Sequence, residues 1–434
     1  MVSCVEPVEG SYFISTYPPF STWREDRVED YRAVLARESP SSGPLGLYAH
    51  IPFCDERCSF CYYLSQANPE PSGIESYLDC LKLELQHLAA TAVLRERELS
   101  FLYFGGGTPS LLSADQIRRL MGHVEASFGR SADAEVTFEC APRTADLERL
   151  KALRECGVTR LSLGIQQLND AVLQLNGRVH SVHDVETAVE RVQSVGFDVV
   201  NLDLIVGLVG ETDETFFHSL ERVIAMGAES VTMYQLEIPF NTPLANTIRK
   251  GREPLKVPSW GVKRRRLAAA FHELERAGYT VRSAYAAVRD PQRHRFVYQE
   301  AQYRGAELLG IGASAFSYVG GVHHQNIAST GRYRASVNGG DLPLYRAHTL
   351  SPEEQVVREF ALQLKLGGCD TQYFRDRFDV DVLGLFSKPL ATFRDMGWVE
   401  TTAERIALTR AGLLRADRLI TEFYDDRYAA VRYS

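Results

Sequence analysis

Residues 50–63 read HIPFCDERCSFCYY, and three cysteines fall within eight residues of one another. Cys54, Cys58 and Cys61 have the spacing C-x3-C-x2-C and follow a predicted strand over Leu45–Ile51. Thiolates are soft ligands that suit zinc or an iron–sulfur cluster. Three of them are one too few for a closed structural zinc site, for which His50 is the obvious fourth ligand. An iron–sulfur cluster on three cysteines instead leaves one iron for a non-protein ligand.

The composition of the 434 residues is ordinary for a globular protein, with 45% hydrophobic and 24% charged residues. A net charge of −8 argues against a general nucleic-acid binder. The basic run Lys263–Arg266 is expected to be a solvated helix face. No signal peptide is recognised in MVSCVEPVEGSYF, and no apolar run is long enough to span a membrane. Eight cysteines in so long a chain favour a cytoplasmic protein over a disulfide scaffold.

A regular alternation of strands and helices begins at residue 44. Strands are predicted over Leu45–Ile51, Leu99–Phe104, Glu135–Glu139, Arg160–Ile165, Val199–Val206 and Ser230–Leu236. Helices are predicted over Ile74–Ala90, Ser113–Phe128, Thr144–Glu155, Val182–Val195 and Asp213–Met226. Such units give a parallel sheet with right-handed crossovers. Six are fewer than a closed barrel needs, so the predicted fold class is α/β, a partial open (β/α)6 barrel with function at the carboxyl ends of its strands.

Four segments are predicted along the chain. Residues 1–43 look irregular and form an N-terminal extension, and residues 44–240 form the partial barrel. Residues 241–345 extend the barrel, with a helix over 258–277 and a strand over 279–287. Residues 346–434 form a small α-rich domain, in which residues 398–413 resemble a hairpin and helix of winged-helix type. A structural cap is expected there rather than DNA binding, since no basic recognition helix is evident.

The cysteine motif, with Phe60 before the third cysteine, resembles the signature of radical S-adenosylmethionine (SAM) enzymes. The preceding LYAHIPFC and the later loops make residues 45–335 similar to the oxygen-independent coproporphyrinogen III oxidase-like (HemN-like) family. The resemblance implies a 4Fe–4S cluster on Cys54, Cys58 and Cys61, with SAM chelated at the free iron and cleaved to a 5′-deoxyadenosyl radical. It also implies an electron donor such as flavodoxin or ferredoxin.

Polar and glycine residues follow the later strands at the matching end of the sheet. The run Gly105–Gly107 in YFGGGTPS allows close approach of a ligand. A phosphate loop is disfavoured because the Lys-Ser/Thr pair that should follow is missing. Carboxylate, amide and guanidinium groups on the next loops suit an ammonium, a ribose or a carboxylate. Each of these residues alone is more often a salt bridge or a cap.

The resemblance further implies that two SAM molecules bind. The residues assigned to the cluster-bound SAM or its neighbour are Tyr48, Phe60, Gly106, Gly107, Thr108, Glu139, Gln166 and Arg178. Ile205, Leu236 and the loop Gly310–Phe316, with Ile311, are assigned to a second site. Asp203, at the end of the fifth strand, is also assigned to cofactor binding.

The sequence departs from two branches of the family. The porphyrin-forming oxidase has a fourth cysteine where this chain has Tyr63, preceded by Tyr62. Heme-chaperone relatives carry HNxxYW, whereas HRFVYQ here keeps only His294 and Tyr298. The chain is therefore expected to be closest to class C radical SAM methyltransferases and cyclopropanases.

That expectation predicts transfer of a SAM-derived methylene or methyl group to an sp2 carbon of a natural-product-like (hetero)aromatic small molecule. Tyr62, Tyr63, Glu237 and His323 are candidates, by position, for the proton acceptor. Three alternatives stay open: a porphyrin-active enzyme, a heme chaperone without turnover, and a zinc-structured binding module.

Overall fold

A computed structural model describes residues 13–38, 43–251 and 255–428. The sequence MVSCVEPVEGSY, searched for a signal peptide, and the Pro/Ser stretch at 39–42 lie outside the described residues. All six predicted strands are present and pair in parallel in chain order. They are β1 Leu45–Ile51, β2 Leu99–Gly106, β3 Arg130–Cys140, β4 Arg160–Gln166, β5 Val199–Val206 and β6 Ser230–Gln235. The predicted α/β partial barrel is confirmed.

Helices cover the outside of these strands. They span Pro71–Ala89, Ala114–Ser127, Leu147–Glu155, Val182–Val195 and Asp213–Met226, with a short extra helix at Asp170–Leu175. Ser113 caps its helix, since its side chain accepts the Gln116 backbone amide while the Gln116 side chain accepts the Ser113 backbone amide. Helix Val182–Val195 ends at Gly196, whose φ of 76° lies in the left-handed region that glycine favours.

The sheet continues at both edges and stays open. Beyond β6 lie two short antiparallel strands, and beyond β1 lie one parallel strand and three antiparallel ones. They are β7 Thr280–Val281, β8 Ala286–Val288, β9 Glu307–Ile311, β10 Phe316–Val319, β11 Val322–Asn326 and β12 Leu344–Thr349. The order is β12-β11-β10-β9-β1-β2-β3-β4-β5-β6-β8-β7, so β12 and β7 are edges. The single strand expected over 279–287 is two strands, because the Ser283 hydroxyl accepts the amides of Tyr285 and Ala286 and turns the chain.

Helix Trp260–Arg276 corrects the expectation for the basic run. Lys263, Arg264 and Arg266 are buried, so this face is not solvated. Arg266 lies 2.8 Å from Glu211 and 2.7 Å from Asp213, while the Lys263 ammonium donates to the Leu236 carbonyl at 2.8 Å. The run therefore anchors the loops that follow β5 and β6.

The N-terminal extension is more regular than expected. Helix Val28–Leu35 packs Tyr31, Val34 and Leu35 into the main core. Arg24 forms a backbone bridge to Ala347 on β12. The extension therefore covers the outer strands of the sheet.

The remaining helices are Pro243–Arg249, Val297–Tyr303 and Thr330–Asn338, followed by a C-terminal α-rich domain. That domain contains helices Pro352–Leu364, Thr371–Phe378, Val382–Leu385, Ser387–Asp395, Arg410–Leu413 and Ala416–Leu419, with strands Gly368–Asp370, Val399–Thr401 and Arg405–Leu408. It has its own core around Phe360, Phe374 and Phe423. The predicted domain boundaries stay predictions. The main sheet contains strands from both sides of the predicted boundary between residues 240 and 241, since β8 pairs with β6. Among the described helices, none combines the length and apolarity that a bilayer span needs.

A buried ion pair joins the N-terminal extension, the barrel and the C-terminal domain. The Lys365 ammonium is fully buried, lies 2.9 Å from Asp417 Oδ1, and donates to the Ile14 carbonyl. Asp417 also accepts the Ile14 amide at 3.0 Å and the Tyr285 hydroxyl at 2.5 Å. The two side chains therefore satisfy both backbone polar groups of Ile14.

Replacing Lys365 should destabilise the protein strongly. Lys365→Met leaves the Asp417 carboxylate buried without its cation, a change that costs about 3–5 kcal/mol in comparable pairs. Thermal melting of the variant should therefore begin well below that of the unaltered protein. Lys388→Met, at an exposed position of the same domain, is the control and should change the unfolding free energy by less than about 0.5 kcal/mol. Equal melting of the two variants would contradict this assignment.

Candidate functional site

The inside of the barrel is polar, and its polar side chains come from alternate positions on neighbouring strands. The Asn201 amide donates to Ser162 at 3.0 Å and to Asp203 at 2.9 Å. Its oxygen accepts the hydroxyls of Ser230 and Thr232 at 2.7 and 2.8 Å. Because successive residues of a strand point to opposite faces, this network places β4, β5 and β6 around one interior.

The stretch HRFVYQ lies against this interior. The Phe296 ring lies 4.7 Å from the Arg160 guanidinium, and the Tyr298 ring lies 4.5 Å from that of Tyr103. The Tyr298 amide donates to Glu135 at 3.0 Å. The His294 imidazole instead accepts the Asp290 amide at 3.2 Å, in a local turn.

The three cysteines lie on the loop after β1, and two neighbouring loops hold that loop. The amides of Gly107 and Thr108 donate to the carbonyls of Ile51 and Phe53 at 2.8 and 2.7 Å. Thr108 also donates its hydroxyl to the Cys54 sulfur at 3.6 Å. On the other side, the Ser59 amide donates to the Asn176 carbonyl at 3.2 Å.

Arg178 brings a positive charge to the thiols. Its Nη1 lies 3.0 Å from the Cys58 sulfur and its Nη2 donates to the Gly164 carbonyl at 2.8 Å. Its buried Nε has no hydrogen-bond partner within the described residues. Burial raises the pKa of Cys54 and Cys61, the latter to about 11, and the Cys58 thiol adds to both shifts. The raised pKa values mean that forming the thiolates costs free energy in this buried loop. Coordination to iron offsets this cost, since a coordinating thiol is bound as the thiolate.

The structure disfavours zinc. Both ring nitrogens of His50 are engaged, one 3.0 Å from the Tyr48 hydroxyl and the other 3.0 Å from the Leu64 carbonyl. Burial lowers the pKa of His50 to about 4, so its imidazole is neutral. Within the described ranges, no three Cys, His, Asp or Glu side chains converge as a single metal ion requires. In a four-iron cluster each cysteine binds a different iron, so its ligands need not converge on one point.

Glu139 lies beside the glycine loop. Its two oxygens accept the Tyr103 hydroxyl at 2.5 Å and the Gly106 amide at 3.1 Å. Gly106 has a φ of 115°, and a Cβ there would lie 2.5 Å from the His50 ring. Burial raises the pKa of Glu139 to about 7, and the charge of Asp203 adds to the shift. The carboxyl group is thus poised to ionise when a cation arrives.

Gln166 is the last residue of β4, and Asp203 lies within the neighbouring strand β5. Asp203 accepts the Ser162 hydroxyl at 2.9 Å, and burial raises its pKa to about 6. Gln166 has a φ of 65°, an uncommon backbone conformation for a residue other than glycine. Such strain clusters at functional positions.

The residues assigned to a second site are only partly brought together. Ile205 and Leu236 share one apolar cluster, and Phe60, which is assigned to the first SAM site, packs against it. Ile311 instead belongs to the main core at the end of β9, where it is paired with Ala49 of β1.

The four candidate proton acceptors do not lie in one group. The rings of Tyr62 and Tyr63 stack with centroids 4.6 Å apart. Burial raises the pKa of Glu237 to about 8, and the Asp417 charge adds to the shift. His323 lies elsewhere, 3.1 Å from the Tyr17 carbonyl and stacked on the Trp23 ring at 4.9 Å.

Sequence reasoning missed several residues that line the inside of the barrel next to the cysteine loop, a region called the chamber from here on. Burial raises the pKa of Tyr48, Tyr234 and Tyr298, and repulsion from the nearby Tyr63 phenol contributes to each shift. The rings of Tyr48 and Tyr298 have centroids 6.4 Å apart. Tyr234 lies two residues after Thr232 on β6 and therefore points to the same interior. The missed residues are Tyr103, Arg160, Ser162, Asn201, Tyr234 and Tyr298. The available signal was the recurrence of polar or tyrosine residues at every second position of otherwise apolar strands.

Comparison with known proteins identifies the family. A model of the radical SAM superfamily matches residues 48–223, and a model of the HemN C-terminal domain matches residues 350–415. The heme chaperone HemW of Bacillus subtilis is 30% identical over 384 residues, which cover 87% of this chain and 98% of that protein. The chain belongs to the HemN-like family of radical SAM proteins.

Two further members of the HemN-like family agree. The oxygen-independent coproporphyrinogen III oxidase of Salmonella typhimurium is 30% identical over 80% of this chain and 76% of its own length. The solved structure of coproporphyrinogen III oxidase (HemN) from Escherichia coli superposes with a TM-score of 0.82 at 28% identity, covering 95% of this chain and 96% of that chain. The cofactors predicted from the resemblance, a 4Fe–4S cluster and two SAM molecules, are confirmed by this membership.

The expectation of a class C methyltransferase or cyclopropanase is wrong. The HemN-like relatives found here are named for heme and coproporphyrinogen, and they match nearly the whole chain. The expectation rested on Tyr63 at the fourth-cysteine position and on the altered HNxxYW stretch. Those differences show that this chain lacks residues found in two relatives, but they do not identify a reaction.

Each cysteine of the triplet should be required for the cluster. Alanine at residue 54, 58 or 61 removes one of three thiolate ligands, so iron and sulfide should fall from about four each per chain to near zero. Chemical analysis after anaerobic reconstitution measures this. Cys156→Ala, at a half-buried cysteine outside the loop, should keep its iron. Full iron content in any triplet variant would contradict the assignment.

The raised pKa of Glu139 should make SAM binding depend on pH. Glu139 is assigned to SAM by the family resemblance, and only its ionised carboxylate can form an ion pair with the SAM ammonium. The pKa of about 7 means that ionisation rises between pH 6 and pH 8. Affinity should therefore increase about tenfold over that range. Calorimetric titration of the reconstituted protein measures the dissociation constant. Glu139→Gln should flatten the dependence, and Glu125→Gln on the surface should not. A dependence unchanged in Glu139→Gln would count against the role.

Proposed function

We propose that this chain is a cytoplasmic radical SAM protein that acts on a porphyrin-type tetrapyrrole. The observation that supports it is the extent of the match: relatives named for heme or coproporphyrinogen align with the barrel and with the C-terminal domain. The proposed ligand is a ring of four pyrroles, which is larger than the natural-product-like aromatic molecule expected from the sequence.

The chamber has the character that such a ligand needs. Aromatic side chains border it from several directions: Tyr48 on β1, Tyr103 on β2 and Tyr234 on β6. Tyr298 adds a ring from a helix outside the strands. Large aromatic surfaces favour a ligand with extended apolar faces, because each contact removes apolar area from water.

The polar residues of the site take the cofactor roles in this proposal. Cys54, Cys58 and Cys61 hold the cluster, which supplies one-electron reduction of SAM when bound. Glu139 pairs with the SAM ammonium, and Arg178 with its carboxylate. Asp203 accepts hydrogen bonds from the ribose. Glu139 and Arg178 carry charges opposite to those of the groups that they would meet, and the Asp203 carboxylate is an acceptor for neutral hydroxyls.

A direct test compares tetrapyrroles with a smaller aromatic compound. The reconstituted protein, reduced with dithionite, is incubated with SAM and either coproporphyrinogen III, heme or indole. A tetrapyrrole should bind saturably and increase 5′-deoxyadenosine formation above the level without ligand, whereas indole should do neither. If indole matched both tetrapyrroles, or if neither tetrapyrrole bound, the proposal would fail.

A further inference from the structure

Two consecutive tyrosines follow the last cysteine of the triplet. The rings of Tyr62 and Tyr63 are nearly parallel, with centroids 4.6 Å apart and an interplanar angle of 27°. The Tyr62 hydroxyl lies 3.5 Å from that of Tyr63. The pair is therefore a preformed aromatic stack placed within two residues of a cluster ligand.

The stack leaves much of one ring uncovered. Tyr63 is 48% exposed, although it belongs to the loop that the glycine run and Arg178 hold in place. Tyr62 stacks against the Tyr63 ring, and almost half of the Tyr63 surface stays open to a ligand. An uncovered aromatic face costs roughly 25 cal/mol for each Å² of apolar surface in water. A ligand that covers the face recovers that free energy.

A second aromatic stack borders the same chamber. The rings of Tyr234 and Tyr285 lie 5.8 Å apart at 29°, and Tyr234 is 37% exposed. Phe13 packs edge-on against both, at 6.0 Å from Tyr234 and 5.2 Å from Tyr285. Each stack thus offers one exposed tyrosine to the chamber.

We propose that the Tyr62–Tyr63 stack is a binding platform that selects a planar, fully conjugated porphyrin over the puckered porphyrinogen. This inference rests on the proposed function and adds to it the residues that recognise the ring. It also explains why tyrosine can stand where the porphyrin-forming oxidase keeps a cysteine. A platform for a flat ring needs an aromatic face at that position, not a thiol.

The selection follows from the shape of the two ring systems. A porphyrin is one conjugated plane and can lie on an aromatic face at van der Waals distance. A porphyrinogen has four sp3 bridging carbons, so its pyrrole rings are separate and do not share a plane. Stacking of a flat base on an aromatic side chain strengthens binding by about 5- to 150-fold. Only the planar ring can stack over its whole face, so only its binding is strengthened in this way.

The experiment measures binding of coproporphyrin III and of coproporphyrinogen III, which carry the same carboxylate side chains. Both are titrated anaerobically in the dark into the reconstituted protein, and tryptophan fluorescence quenching reports binding. The unaltered protein should bind the porphyrin about tenfold more tightly than the porphyrinogen. The Tyr62→Ala/Tyr63→Ala variant should lose that difference by weakening porphyrin binding about tenfold or more.

Two controls separate stacking from other roles. Tyr62→Phe/Tyr63→Phe keeps the ring faces and removes the hydroxyls, so its porphyrin affinity should stay within about threefold of the unaltered protein. Tyr345→Ala, on β12 outside the chamber, should change neither affinity. Iron content shows that each variant keeps its cluster. If the double alanine variant loses iron, Tyr63→Ala alone, with Tyr62 still covering the loop, carries the test.

The outcomes separate this inference from the proposed function. If the unaltered protein binds both ring systems equally, or if the alanine variant binds the porphyrin as tightly as before, the platform is overturned while tetrapyrrole binding stands. Equal losses in the phenylalanine and alanine variants would also overturn stacking, because the hydroxyls would then carry the effect. Binding of neither ring system by the unaltered protein would overturn the proposed function and the platform together.

Discussion

The neutral imidazole of His50 fixes the start and the end of the cysteine loop. It lies between the Tyr48 hydroxyl on its own strand and the Leu64 carbonyl beyond the third cysteine. The same ring occupies the space where a side chain at residue 106 would lie, so Gly106 must be glycine. The Gly106 amide can then reach Glu139. One buried histidine therefore sets the geometry of the metal loop, the glycine loop and the carboxylate assigned to SAM.

The strands and helices of the barrel were predictable because each has a strong local signal. The bounds of β1 and β5 and of helix Val182–Val195 agree with the sequence prediction at both ends. Apolar runs bounded by glycine or capping residues decide such elements locally. Helix Val28–Leu35 was missed, since it has a single turn of buried residues and depends on packing against β11 and β12 for its stability.

Long-range contacts account for the other failures. Lys263, Arg264 and Arg266 of the basic run are buried, whereas Arg265 is exposed. Glu211 and Asp213, some 50 residues away in the chain, supply the counter-charges of Arg266. No local pattern shows that pairing. The motifs that carry the family resemblance singled out the three cysteines and Glu139 as candidates, whereas Asn201 and Arg160 are recognisable only through their partners on other strands. The predicted substrate class was wrong because the prediction relied on an absent cysteine. An absent residue does not show which ligand binds, since that depends on the side chains that line the site.

The ion pair of Lys365 and Asp417 has a consequence for biosynthesis. It fixes Ile14, and with it Phe13, against Tyr285 and Tyr234. One wall of the chamber is thus built from the beginning of the chain, while the groups that hold it come from near the end. On the ribosome the barrel strands and the cysteine loop emerge long before Asp417 does. The cysteine loop is therefore synthesised long before the residues that fix this wall of the chamber.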